Sequence, residues 1–167
     1  MPRDGETIGE VMFRGNIVMK GYLKNEKATQ EAFAGGWFHT GDLGVLDAHG
    51  YVIIKDRSKD IIISGGENIY PAEVESALCD HPDVAEAAVI GIPDDKWGEA
   101  VKAVVVMKPG KSATATDIIN FTRERIAGYK TPKSVDFIPA LPRNPSGKIL
   151  RRSLREPYWA GKDRQVN

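Results

Sequence analysis

Three segments of this chain set glycine beside charge where packing requires neither. The first is Trp37-Phe38-His39-Thr40-Gly41-Asp42. A carboxylate held by a glycine turn can accept two hydrogen bonds from a vicinal diol, the geometry a ribose presents, although the same residues also suit an Asx-type turn. The second is Asp56-Arg57-Ser58-Lys59-Asp60 followed by Ser64-Gly65-Gly66-Glu67-Asn68. Paired glycines allow a backbone to approach a thin ligand closely, or simply to turn a hairpin. The third is Pro142-Arg143-Asn144-Pro145-Ser146-Gly147-Lys148-Ile149-Leu150-Arg151-Arg152. It is not a phosphate-binding P-loop, because Pro142 stands where that pattern needs glycine and Ile149 where it needs Ser or Thr. A proline-braced turn that projects Lys148 could instead deliver a positive charge to a phosphate. Attraction between unit charges at ~4 Å is worth about 4 kcal/mol at an effective dielectric of 20.

The elements that must position these residues follow from period and punctuation. Up to about residue 58 the chain alternates glycines with short β-prone runs, Glu10 to Phe13, Leu43 to Leu46 and Tyr51 to Ile54, and one helix is expected from about Asn25 to Phe33. Beyond Asp60 the pattern becomes a strand (Ile61 to Ile63), a glycine turn, a helix (Pro71 to about Asp80) and two strands (Glu86 to Ile92 and Val101 to Met107). A further helix (Thr116 to about Ala127) and a strand (Ser134 to Ile138) follow. Val74, Ala77 and Leu78 fall on one helical face, as do Ile118, Phe121, Thr122 and Ile126. The nearly continuous apolar run VKAVVVM predicts a strand covered on both faces. The charged stretch KDRSKD, residues 55–60, reads as an exposed connector between the halves. The fold class expected is α+β: a β-rich first part, then a small domain with a short mixed sheet flanked by helices.

Composition excludes several classes. With 167 residues, 41% of them hydrophobic and 28% charged, the chain matches ordinary globular protein. No segment approaches the ~20 apolar residues of a membrane helix. The 23 basic and 23 acidic groups cancel, but unevenly: net charge is −1 over residues 1–58, −6 over 59–122 and +7 over 123–167. The cationic last quarter could dock an anion or could be a solvated surface. A single cysteine, Cys79, cannot form an internal disulfide, and the polar start MPRDGETIGE is unlike a signal peptide, so a reducing, cytoplasmic setting is expected.

The order and spacing of GEVMFRGNIVMKGY, GGWFHTGDLG, DRSKDIIISGGENIYPAEVE, VIGIPDDKWGEAV and LPRNPSGKILRR are more specific than any one of them. Over residues 6–155 the chain resembles the C-terminal part of the adenylate-forming enzymes of the acyl-CoA synthetase type, such as fatty acyl-CoA and 4-coumarate-CoA ligases. The resemblance implies that residues 1–58 are the end of a large N-terminal domain and residues 59–167 a mobile lid. It implies ATP and CoA as substrates, with a carboxylic acid of the fatty acid class. Asp42 and Arg57 then bind the ribose hydroxyls, Ile54 packs near the nucleoside, and Lys148 is the adenylation lysine between carboxylate and α-phosphate. Lys59 takes the hinge position. Gly65 and Gly66 would line the pantetheine tunnel, Trp97 and Tyr129 flank the adenine of CoA, and Lys130 and Lys133 lie near its phosphates. The alternative for Trp97 is a partly buried turn anchor. Tyr158 and Trp159 lie beyond the matched region and receive no role.

No segment resembles the family's phosphate loop, acyl pocket or magnesium-binding glutamate, so Mg2+ is implied for a full-length enzyme while no metal ligand is assigned here. The chain is therefore expected to be a fragment, inactive alone, with open strand edges free to self-associate. A non-catalytic module that binds CoA or a partner protein is the competing reading. Nucleic acid is not an expected partner, because no recognised motif accompanies the basic tail.

Overall fold

The computed structural model describes residues 1–162. The chain divides into two compact units, Met1–Lys59 and Asp60–Asn167.

In the first unit, strand β1 (Gly9–Phe13), helix α1 (Glu26–Ala32), strand β2 (Phe38–Leu46) and strand β3 (Val52–Arg57) form an antiparallel sheet of order β1-β2-β3 with one helix. The Asn25 side chain caps α1 by accepting from Ala28 N at 3.1 Å. The β2–β3 turn is tied by Asp47, whose Oδ1 accepts from His49 N and Tyr51 N at 2.9 and 2.8 Å. This sheet has almost no core of its own. Val45 is its single buried apolar side chain among the described residues, while Phe13, Ile17, Leu23 and Tyr51 to Ile54 stay exposed. Burial of an aliphatic side chain is worth roughly 1.5–3 kcal/mol, so one such residue cannot offset the ordering of three strands.

The expected connector at KDRSKD is half strand. Lys55, Asp56 and Arg57 belong to β3, and Asp56 is only 8% exposed, its carboxylate accepting from Arg57 N. The β3 ladder continues through charged residues because alternate positions face outward, and the link to the second unit is the single 3-10 turn Ser58–Asp60.

The second unit is built on a mixed sheet. Strands β4 (Ile62–Ser64), β5 (Glu67–Ile69), β6 (Val84–Asp94), β7 (Gly98–Met107) and β8 (Ser134–Phe137) run in order β5-β4-β7-β6, with β8 parallel to β7 and the other pairs antiparallel. Helices α2 (Pro71–Cys79) and α3 (Ala115–Arg123) pack on one face. There Val101, Ala103 and Val105 meet Ile62, Ile69, Val74, Leu78 and Ile118. On the other face Ala88, Ile90, Val104 and Leu141 meet Leu154 and Tyr158 of helix α4 (Arg151–Trp159). β7 is covered on both sides, as its continuous apolar run predicts.

Pro71 opens α2 at the first turn, where its missing N–H costs nothing, and Thr114 with Asp117 forms a reciprocal capping box on α3. α3 ends at Arg123, short of the expected Ala127, because Thr122 O accepts from both Arg125 N and Ile126 N and tightens the chain ahead of Gly128. No helix among the described residues is long and apolar enough to cross a membrane.

Candidate functional site

Asp42 and Arg57 are register partners across β2 and β3, and Arg57 Nε donates to Asp42 Oδ1 at 2.9 Å. With side-chain exposures of 35% and 63%, such a pair contributes at most about 1 kcal/mol to stability. Asp42 Oδ2 and the two Nη groups of Arg57 have no further partner among the described residues. A carboxylate and a guanidinium thus face solvent side by side, ready to accept from and donate to adjacent hydroxyls. Ile54, 55% exposed, lies on the same strand.

The loop that carries Asp42 is fixed from below. β1 and β2 pair Glu10 with Leu43 and Met12 with His39, so Thr40-Gly41-Asp42 bulge out opposite the single residue Val11. Gly41 takes φ 73°, a left-handed conformation that favours glycine. Glu10 holds the bulge with both oxygens: Oε1 accepts from Gly41 N at 2.9 Å and Oε2 lies 2.7 Å from His39 Nδ1. His39 Nε2 is 3.1 Å from Ala34 O. Two acceptors facing two ring nitrogens favour the imidazolium, so the Glu10 hydrogen bond raises the His39 pKa and His39 lowers that of Glu10. Thr40 Oγ1 donates to Val11 O and accepts from Asp42 N. The motif read from sequence lacked Glu10, which sits in a β-prone run like any outward polar residue.

Lys59 is exposed in the 3-10 turn that joins the units, not in a regular strand. In the second unit Gly65 and Trp97 are adjacent. Gly65 N donates to Trp97 O at 2.9 Å, and a Cβ added at Gly65 would lie 2.6 Å from the indole Cε3. Gly65 and Gly66 both have positive φ, 62° and 85°. Trp97 is 46% exposed with Lys96 Nζ 4.6 Å from its ring centre, and its turn is held by Asp94 Oδ1 accepting from Lys96 N and Trp97 N. Trp97 is therefore a turn residue with a solvent-facing ring.

Tyr129 is equally exposed, but Lys130 Nζ binds Glu73 at 2.6 and 2.8 Å. Burial works against the Lys130 charge, yet that pair outweighs it and raises the lysine pKa. Lys133 is exposed, and its backbone N–H bonds Val101 O at 2.8 Å. Tyr129 and Trp97 make no ring contact with each other among the described residues.

Lys148 stands on the turn that precedes α4. Asn144 Oδ1 accepts from Ser146 N, Ser146 Oγ and Lys148 N at 3.0, 2.8 and 2.9 Å, and Asn144 N donates to Lys148 O at 2.9 Å. Arg143 spans Gly147 O and Glu86 Oε1 at 2.8 and 2.6 Å. The Lys148 ammonium is exposed and unpaired among the described residues.

α4 anchors the far side of this turn. Arg151 makes a two-pronged pair with Glu75 at 2.7 and 2.9 Å, and Glu75 also accepts from Val89 N on the outer strand β6 at 2.8 Å. Tyr158 OH donates to Asp136, which also binds buried Lys102, and Trp159 Nε1 donates to Gly91 O at 3.0 Å. Tyr158 and Trp159, given no role from sequence, thus fasten the helix. Among the described residues no three His, Cys, Asp or Glu side chains gather to hold a metal ion.

Residues 73–148 match the AMP-binding enzyme C-terminal domain. The chain is 52% identical over 159 residues to a peroxisomal butyrate–CoA ligase of Arabidopsis thaliana, covering 93% of this chain and 28% of that protein. It is 51% identical over 152 residues to the long-chain-fatty-acid–CoA ligase FadD13 of Mycobacterium tuberculosis, covering 91% and 30%. Among solved structures, ATP-bound MatB from Rhodopseudomonas palustris superposes with a TM-score of 0.87 at 42% identity, over 95% of this chain and 31% of that one. Residues 73–148 thus match this C-terminal domain, and the chain is similar in sequence and fold to the C-terminal part of adenylate-forming CoA ligases. It spans less than a third of the length of these relatives.

Proposed function

We propose that this chain is the C-terminal part of an ATP-dependent CoA ligase that activates a carboxylic acid, a fatty acid by preference. Residues 1–58 would complete a large nucleotide-binding domain, and residues 59–167 would form the lid that moves over it. The exposed apolar side chains of the first unit support the first assignment, since a sheet with one buried aliphatic needs cover from elsewhere. The presence of long-chain-fatty-acid and butyrate ligases among the relatives supports the substrate class.

In the first half-reaction a carboxylate oxygen bonds to the α-phosphorus of ATP and the bond to pyrophosphate breaks. Asp42 and Arg57 hold the ribose hydroxyls beside Ile54, and Lys148 bridges the carboxylate and the α-phosphate and neutralises the charge that develops as pyrophosphate leaves. In the second, the CoA sulfur bonds to the acyl carbon and AMP leaves. Rotation at Lys59 withdraws Lys148 and brings Gly65 and Gly66 to a pantetheine channel, with Trp97 and Tyr129 about the adenine. Lys133 is available to a phosphate directly, whereas Lys130 must first leave Glu73. Mg2+ belongs to the ATP chemistry of such enzymes, but no side-chain cluster among the described residues would hold it and no step is assigned to it. A single cysteine suits a reducing, cytoplasmic location.

The observation that carries the reading is the solvent-facing Lys148 on a turn held by Asn144 and Arg143, in a chain that also pairs Asp42 with Arg57. Acid-dependent ATP–pyrophosphate exchange by the full-length protein tests it. Exchange that requires a carboxylic acid and then yields acyl-CoA is expected. ATP hydrolysis to ADP, or no exchange with any acid from acetate to long-chain fatty acids, would overturn it.

A further inference from the structure

We propose that Asn144 is a positioning residue for Lys148, acting as a three-way hydrogen-bond acceptor that sets the backbone from which the lysine side chain projects. The inference rests on the reading of Lys148 as the adenylation lysine. A lysine side chain has four rotatable bonds and is solvated on most surfaces, so the protein controls its ammonium chiefly by fixing the backbone pivot. Here the pivot is held on both sides by one residue. Asn144 Oδ1 takes the N–H of Lys148 and both donors of Ser146, while its own N–H takes the Lys148 carbonyl. Gly147 N returns to Asn144 O at 2.9 Å, and Gly147 adopts φ 82° to close the loop. Arg143 ties Gly147 O to Glu86 on β6, so the turn is referenced to the sheet.

Among the described residues the Asn144 side chain accepts through its oxygen and donates nothing from its NH2 group. Aspartate can therefore replace asparagine in this role, whereas alanine cannot.

The test is a set of variants of the full-length protein assayed in each half-reaction. Asn144→Ala should lower kcat for acid-dependent pyrophosphate exchange by about 10-fold to 100-fold, the scale of a small misplacement of a reacting group, with KM for ATP little changed. It should leave thioester formation from supplied acyl-adenylate near wild type, which also shows that the lid has folded. Asn144→Asp should restore most of the exchange rate. The proposal is overturned if Asn144→Ala leaves exchange intact while Lys148→Ala abolishes it, if Asn144→Asp is as impaired as alanine, or if both half-reactions fall equally. If Lys148→Ala itself leaves exchange intact, the lysine reading fails, and this proposal fails with it.

Discussion

His39 is flanked by two acceptors, so its charge and the shape of the Asp42 loop are coupled. Its pKa lies above the ordinary histidine value because Glu10 and the Ala34 carbonyl bind the protonated ring. Stability from this pair is fully present below the unfolded-state pKa, about 6.5, and is lost as pH rises through the raised folded value. Titration of the imidazole proton resonances should give a midpoint above 6.5, and Glu10→Gln should bring it down. A His39 midpoint at or below the free value would remove the ion pair from the account. The opposite sign holds for Glu10, whose lowered pKa adds stability above the usual carboxylate range and loses it on acidification.

At the scale of elements, Gly65 joins β4 to β5 under the indole of Trp97. Gly65→Ala would press a methyl carbon to 2.6 Å from the ring and hold a left-handed φ of 62° with a side chain attached. The strained turn should cost about 1–2 kcal/mol and displace Trp97, lowering acyl-CoA formation more than adenylation. Thermal melts and the two half-reactions would show it, and an unchanged thioester rate would mean that this turn does not meet CoA. Much of this architecture was legible in the sequence. Pro71, the Val74–Leu78 stripe and the apolar run of β7 announced their elements because burial and capping act locally. Glu10 was not legible, because its role depends on a bulge that brings residues about 30 positions apart in sequence together. Asn144 left a weak signal, since an Asn-Pro step marks a turn without saying what the turn holds. KDRSKD holds the division between the units but hid the end of β3, because the charged end of a strand and a loop share the same composition. Tyr158 and Trp159 were silent, because their partners, Asp136 and Gly91, are fixed only by the tertiary fold.

For the whole molecule, the two units differ in what holds them. The second buries a continuous core on both faces of β7, while the first fully buries only Val45 among its described apolar side chains and leaves many of the others exposed. Amide exchange on this 167-residue chain should therefore find β1 to β3 exchanging well before β6 and β7, and Leu78→Ala should cost about 2–5 kcal/mol in the second unit alone. Equal protection in both sheets would show that the first unit has cover not accounted for by its own residues. On the proposed reading this chain by itself supports no acid-dependent pyrophosphate exchange.

On the proposed reading one chain segment serves two half-reactions by reorienting at Lys59. In the full-length protein Lys59→Pro fixes φ near −65° and removes an N–H within the linking turn, so it should trap one pose. Lys148→Ala removes one preorganised charge and should lower adenylation by about 10²-fold or more. Measuring both half-reactions for these two variants is the most direct test. Reciprocal lesions are expected: Lys59→Pro spares adenylation and depresses CoA transfer, while Lys148→Ala depresses adenylation and spares transfer from supplied acyl-adenylate. Loss of both half-reactions to the same extent in Lys148→Ala, or no change in either for Lys59→Pro, would contradict it.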